Sequence, residues 1–282
     1  MLPIIITILV DNNAAPGLAE EHGFSAWIEH GNDCILFDTG QGQALETNAQ
    51  VLDINLDQTT LVVLSHGHYD HTGGLGVVLS ATSATKIAYG EGITRRRLSC
   101  HEGREIRDIG MPQTCIDQLE RLSESRRLLI DQPHRIQPRI GITGPIPRRI
   151  DFEDAGGPFF FDQTRQSADP ISDEIAVWIE TEEGLVIITG CCHAGIINTV
   201  ERIREITGQK RVQGIIGGLH LLHASEQRIQ STFDYLAALQ PKFLMPCHCT
   251  GEHVVAMMKE RFGRPVIDVK VGTRLQLAPP SA

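Results

Sequence analysis

Between Leu64 and Leu75 the chain reads LSHGHYDHTGGL, placing three histidines and an aspartate within six residues, directly after the apolar run TTLVVL. Imidazoles and carboxylates taken out of water need a hydrogen bond or a cation in exchange. In an extended or loop segment residues i and i+2 point the same way, so His66 and His68 can converge on one cation. Asp70 and His71 lie just beyond and can converge on a second point. Neutral imidazole and carboxylate suit zinc, iron or manganese. The glycines of HTGG let the backbone turn sharply as the next helix begins.

One such cluster cannot fill two coordination spheres, so other loops must contribute. Three stretches qualify: TGCCHAG with Cys191 and His193, GGLHL with His220, and PCHCTG with His248 between Cys247 and Cys249. Each follows a β-type run and precedes a helical one, which predicts that all three emerge on the same edge, as loops on a rigid sheet do.

The elements that must position these residues follow from hydrophobic patterning. IIITILV (4–10) is a β-branched strand ending at the turn signal DNN; FSAWIEH and CILFDTG make a hairpin leading to Asp38; TTLVVLS and KIAYG are further strands. EIAVWIET and LVIITG make a second hairpin, followed by helix 196–208, strand 212–222, helix 226–240, strand and loop 241–251, and helix 252–263. Met257 and Met258 are expected in the core. The alternation argues sheets with outer helices. Residues 94–154 are rich in arginine and weakly periodic, and are expected to form an inserted subdomain or flap within a single domain spanning 1–282. They read either as a solvated surface or as an anion-recognising lid carrying Arg95, Arg96 and Arg97.

The 282 residues are 41% hydrophobic, enough for one large core, and no window approaches a membrane span. The apolar start lacks a basic region and a cleavage site, so it is expected to be a strand and the chain cytoplasmic. A net charge of −10 disfavours nucleic-acid binding. Seven cysteines, an odd number clustered near strand ends, suggest buried or reactive thiols and not a disulfide framework. The expected partner is a small-molecule substrate; a homo-oligomer is compatible with the sequence.

SHGHYDHTGG with an upstream FDTG resembles the metallo-β-lactamase superfamily. LVDN (9–12), GLAEEHGFS (17–25), ILFDTGQG (35–42), ITGCCHAGIINTVE (188–201), IGGLHL (216–221) and PCHCTG together resemble one branch of it. That branch holds metal-dependent hydrolases and the 7,8-dihydropterin-6-methyl-4-(β-D-ribofuranosyl)aminobenzene 5′-phosphate synthases. The resemblance implies an α/β fold, an αββα sandwich, with two divalent cations, zinc first and iron, manganese or magnesium as alternatives. It implies His66 and His68 on one cation, completed by His193, and Asp70 and His71 on the other, completed by His248. Asp38 would orient a ligand imidazole. Cys191 stands where the superfamily often has a bridging acid, and it would be either a thiolate ligand or a small core residue. His220 would be a ligand or a proton donor, and Asp70 could accept a proton.

Two cations in such a site activate water for hydrolysis of a phosphorylated or ester-containing substrate. They could instead neutralise a diphosphate leaving group, which is transferase chemistry. A third reading is a catalytically silent ligand sensor, which leaves the intact metal constellation without a purpose.

Overall fold

The computed structural model describes residues 2–278. The described residues divide into two compact units, the first made of 2–95, Gly110–Ile130 and 269–278, the second of Arg96–Ile109 and Asp131–Asp268.

The first unit carries a seven-stranded sheet in the order Arg274–Leu277, Ile4–Val10, Ser25–His30, Asp33–Phe37, Thr59–Leu64, Lys86–Tyr89, Arg127–Leu129. The first four strands pair antiparallel; from Asp33–Phe37 onward pairing is parallel. Parallel strands are covered on both faces and read as continuous apolar runs, which is why TTLVVL looked buried in sequence. Trp27, Leu36, Val62 and Leu64 pack against helices Gln43–Val51, Leu75–Ala81 and Gln113–Arg121 through Leu45, Ala49, Val78, Cys115 and Leu119. Each large apolar side chain so buried contributes roughly 1.5–3 kcal/mol.

The second unit carries a six-stranded sheet in the order Phe243–Pro246, Val212–Gly217, Gly184–Thr189, Val177–Thr181, Ile140–Ile142, His134–Gln137. Its first three strands run parallel, so their carboxyl ends share one edge. Helices Ile196–Thr207, Glu226–Leu239 and Glu252–Phe262 bury Val200, Ile203, Phe233, Leu236, Val254 and Met258 against Leu185, Ile187, Ile215 and Leu244. A small third sheet joins Phe159–Phe160, Leu98–Ser99 and Arg107–Asp108.

Three expectations change here. The strand begun at Val212 stops at Gly217, whose φ of 115° takes the backbone out of the ladder, and GLHLL continues as loop. Met258 is fully buried but Met257 is 43% exposed, because adjacent helical residues lie on different faces and only one can meet the core. The arginine-rich stretch 94–154 is divided between both units. Arg127–Leu129 extends the first sheet, while His134–Gln137 and Ile140–Ile142 extend the second. Among the described residues no helix is long and apolar enough to cross a membrane.

Candidate metal centre

In the first unit, strands Asp33–Phe37 and Thr59–Leu64 lie side by side in parallel, so Asp38 and Ser65 emerge together at their carboxyl ends. Asp38 is fully buried with φ 58°, an uncommon conformation for a residue with a side chain and one that recurs at functional sites. Its Oδ1 accepts from the Ser65 amide at 2.6 Å, and its Oδ2 accepts from Ser65 Oγ and His71 Nδ1, both at 2.7 Å. The hydroxyl of Ser65 has one proton and gives it to the carboxylate, so at its 2.9 Å contact with His66 Nδ1 it must accept. His66 and His71 therefore both carry their proton on Nδ1 and present Nε2 as the lone-pair nitrogen, the tautomer a metal ligand needs.

The helical turn Tyr69–Thr72 carries the rest of the first unit's cluster. The ring of His66 lies 4.5 Å from that of His68 and 4.3 Å from that of His71, centre to centre. Asp70 Oδ2 sits 3.8 Å from His71 Nε2 and 3.2 Å from His22 Nε2. All four residues expected from the sequence are buried in one loop. Ser65 and His22 were not singled out there. Ser65 was visible as a hydroxyl beside a strand-end histidine, and His22 lies within the quoted GLAEEHGFS.

In the second unit the three parallel strands deliver Cys191–His193, His220 and His248 to their shared edge. Donor atoms of Cys191, His193 and His220 lie within 4.8 Å of one another, and so do those of Cys191, His248 and Cys249. Cys191 belongs to both groups, with its Sγ 3.4 Å from His248 Nε2. His193 Nδ1 donates to the carbonyl of Ala155 at 2.8 Å, which leaves its Nε2 as the lone-pair nitrogen. His220 has the opposite tautomer: Nε2 donates to Gly156 O at 3.2 Å, and Nδ1 holds the lone pair. In that form His220 can ligate or accept a proton; donating from Nδ1 requires a second proton. His220 and His248 have φ of 47° and 48°.

Carboxylates unremarked in the sequence brace this edge. Glu174 accepts from the amides of His193 and Ala194, and Glu153 accepts from Ile197 and Asn198 at the start of helix Ile196–Thr207. Burial raises both carboxyls above the ordinary range. Burial, reinforced by Glu174 and Glu153, also pushes the Cys192 thiol well up, as expected of a thiol that serves packing. Burial raises the Cys249 thiol too, but Cys191, His248 and His220 outweigh it and hold it well below its usual value.

The donors of each unit fit a divalent metal: imidazoles, several with their tautomer fixed by an outer hydrogen bond, beside a carboxylate in the first unit and thiols in the second. The arginine reading needs correction at one position. Arg97 is 1% exposed and is ion-paired with Asp169 and Asp173, so it cannot serve as a substrate-facing fork. Arg96 is exposed and pairs with Asp108 at 3.0 Å.

Asp38→Asn is expected to weaken metal binding by about 10–100-fold, the usual cost of losing a partner that orients a ligand. An amide has one acceptor oxygen for three donors. Chelator competition measures the change, and unaltered affinity would remove Asp38 from the centre.

Residues 19–248 match the family model of the metallo-β-lactamase superfamily. The 7,8-dihydropterin-6-methyl-4-(β-D-ribofuranosyl)-aminobenzene-5′-phosphate synthase of Methanocaldococcus jannaschii is 33% identical over 275 residues, covering 90% of this chain and 92% of that protein. An uncharacterized protein of the same organism is 32% identical over 248 residues, covering 88% and 91%. The structure of Tm1679, a metal-dependent hydrolase of the β-lactamase superfamily, superposes with a TM-score of 0.82 at 29% identity, covering 98% of this chain and all of that one. The expected α/β fold is thus the observed one, and the chain belongs to the metallo-β-lactamase superfamily, with its metal-dependent hydrolase fold.

Proposed function

We propose that the chain is a hydrolase that uses two divalent cations, zinc foremost, on a small phosphorylated or ester-containing substrate. The donors would be those the family resemblance implies, His66, His68, Asp70, His71, His193 and His248, with Cys191 taken as the thiolate ligand of its two alternatives. The observation that carries the reading is the hydrogen-bonded series from Asp38 through Ser65 to His66, and from Asp38 to His71, which fixes two imidazoles in the ligating tautomer. When bound, divalent cations supply Lewis acidity that activates water and neutralises negative charge on a substrate. The chain's own residues orient and hold protons. Asp38 keeps the His71 Nδ1 proton, Ala155 O keeps that of His193, and Asp70 can accept one at Oδ2, within reach of His22.

A second reading has its own support in the synthase relative, 33% identical across nearly the whole chain. There the same cations would hold a departing diphosphate while a new bond forms at carbon. Metal analysis with two substrate panels separates the readings. Turnover of phosphoesters or lactones supports the hydrolase. Pyrophosphate released only from a pterin-methyl diphosphate with an arylamine supports the transferase. Bound metal without turnover on either panel rejects both and leaves a ligand sensor.

The phosphate preference finds support in a cleft of about 640 Å³ in the second unit, within the size range of small-molecule sites. Its charged and polar lining is His101, Glu102, Arg104, Asp154, His223 and Ser225, with Gly156 beside them. Gly156 is the residue whose carbonyl holds His220. Ser225 caps helix Glu226–Leu239 by accepting from the Arg228 amide, so helix-end amides lie beside the cleft. The substrate-facing arginine is therefore Arg104. Arg104→Ala is expected to raise KM about tenfold for phosphorylated substrates, the worth of one charge-assisted hydrogen bond, and to leave neutral esters nearly unchanged. Equal effects on both would return Arg104 to ordinary solvated surface.

A further inference from the structure

We propose that Cys249 is itself a metal donor, so that Cys191, His248 and Cys249 make a sulfur-rich centre selecting a thiophilic cation, zinc or ferrous iron, over magnesium or manganese. The inference rests on the metal-dependent reading above. It adds a donor that the sequence presented only as a flank of His248.

Geometry carries it. The three residues are 3%, 6% and 7% exposed, and their donor atoms all lie within 4.8 Å of one another. Donors at 2.0–2.3 Å from a tetrahedral ion are about 3.3–3.8 Å apart. The Cys191 Sγ to His248 Nε2 separation of 3.4 Å is already such an edge. Cys249 Sγ is tied to the same turn by its 3.4 Å contact with Cys191 O.

The chain also makes room for this sulfur. A Cβ on Gly218 would stand 2.5 Å from Cys249 Sγ and 2.5 Å from Gly190 O, so the second glycine of IGGLHL keeps clear the space the thiol occupies. Cys192 shows what a merely structural thiol looks like in the same fold. It is packed in the apolar cluster with Ile196 and Val200, and its sulfur lies 3.6 Å from the hydroxyl of Thr199. Cys249 instead faces imidazole and thiol.

Two thiols and an imidazole are soft to borderline donors, a set on which thiophilic cations outcompete hard ones. On binding, each thiol releases its proton to solvent and the thiolate forms the bond to the cation. Nothing is oxidised or reduced.

Cobalt(II) titrated into the metal-stripped full chain tests this without reference to turnover. The wild-type protein is expected to show sulfur-to-cobalt charge-transfer absorption in the near ultraviolet. Cys249→Ser is expected to remove about half of it, Cys191→Ser a similar share, and the double variant all of it. Zinc affinity of Cys249→Ser should fall about tenfold or more while manganese affinity barely changes. If the wild type takes up no divalent cation, the metal reading fails and this inference with it. If it takes up cobalt and Cys249→Ser keeps the full band, only the Cys249 donor is overturned. Zinc-edge X-ray absorption on the wild-type protein guards against a misfolded variant: two thiolate donors are expected, and a single one overturns the proposal.

Discussion

His68→Ala is expected to strip most of the bound metal and abolish turnover while leaving the fold in place. The expectation rests on what each part of His68 does. Its carbonyl accepts from the amides of His71 and Thr72 and from Thr72 Oγ1, the bonds that close the turn Tyr69–Thr72, and alanine keeps all of them. Its side chain meets the ring of His66 edge to face, and lies outside the apolar cluster of the first unit. The loss should therefore fall on metal and not on stability. Removing a partner that orients a ligand costs about 10–100-fold in affinity, so removing a ligand should cost about 100-fold or more. Metal content after dialysis and a thermal melt, measured together, check both halves. Full metal content in a folded His68→Ala protein would end the assignment of the 66–71 loop.

Where sequence reading succeeded, one physical signal stood alone. Ile4–Val10, Thr59–Leu64 and Gly184–Thr189 are short apolar runs bounded by turns, and burial on both faces leaves no polar alternation to confuse them. Where it overran, two states share the same composition. Leu219 and Leu221 are as buried as strand residues but sit in a loop, since a loop held by Thr250 Oγ1 at the Leu219 amide can face the core as well as a strand does. The cluster of polar side chains at 66–71 was legible because its members are neighbours in sequence. The carbonyls of Ala155 and Gly156 were not, because a backbone acceptor has no residue type to betray it. Glu174 was equally hidden, since nothing in its sequence neighbourhood marks it as the acceptor for two amides 19 and 20 residues away.

Arginine was the least legible residue, and Arg97 shows why. RRRL reads as three exposed charges, yet Arg97 closes on carboxylates more than seventy positions later in the chain. Its Nη1 lies 3.4 Å from Asp169 Oδ2 and its Nη2 lies 2.7 Å from Asp173 Oδ1, all three side chains being at most 2% exposed. Arg97→Ala would leave two carboxylates in low dielectric without their cation, and breaking a buried pair in this way costs about 3–5 kcal/mol. At roughly 2–4 °C per kcal/mol for a chain of this class, the melting temperature should fall on the order of 10 °C. The deficit should also depend on pH. Burial already raises the Asp173 carboxyl above its ordinary value, and Arg97 is the main influence holding it down. Without Arg97 that carboxyl rises further, so the folded variant binds a proton the unfolded chain has released. Stability of the variant relative to wild type is then best below the ordinary carboxylate pKa and falls as pH climbs through the raised one. Thermal melts from pH 5 to pH 8 should show the gap widening with pH, while metal content per folded chain stays at the wild-type level. A small gap that ignores pH would put Arg97 back on a solvated surface, beside Arg96.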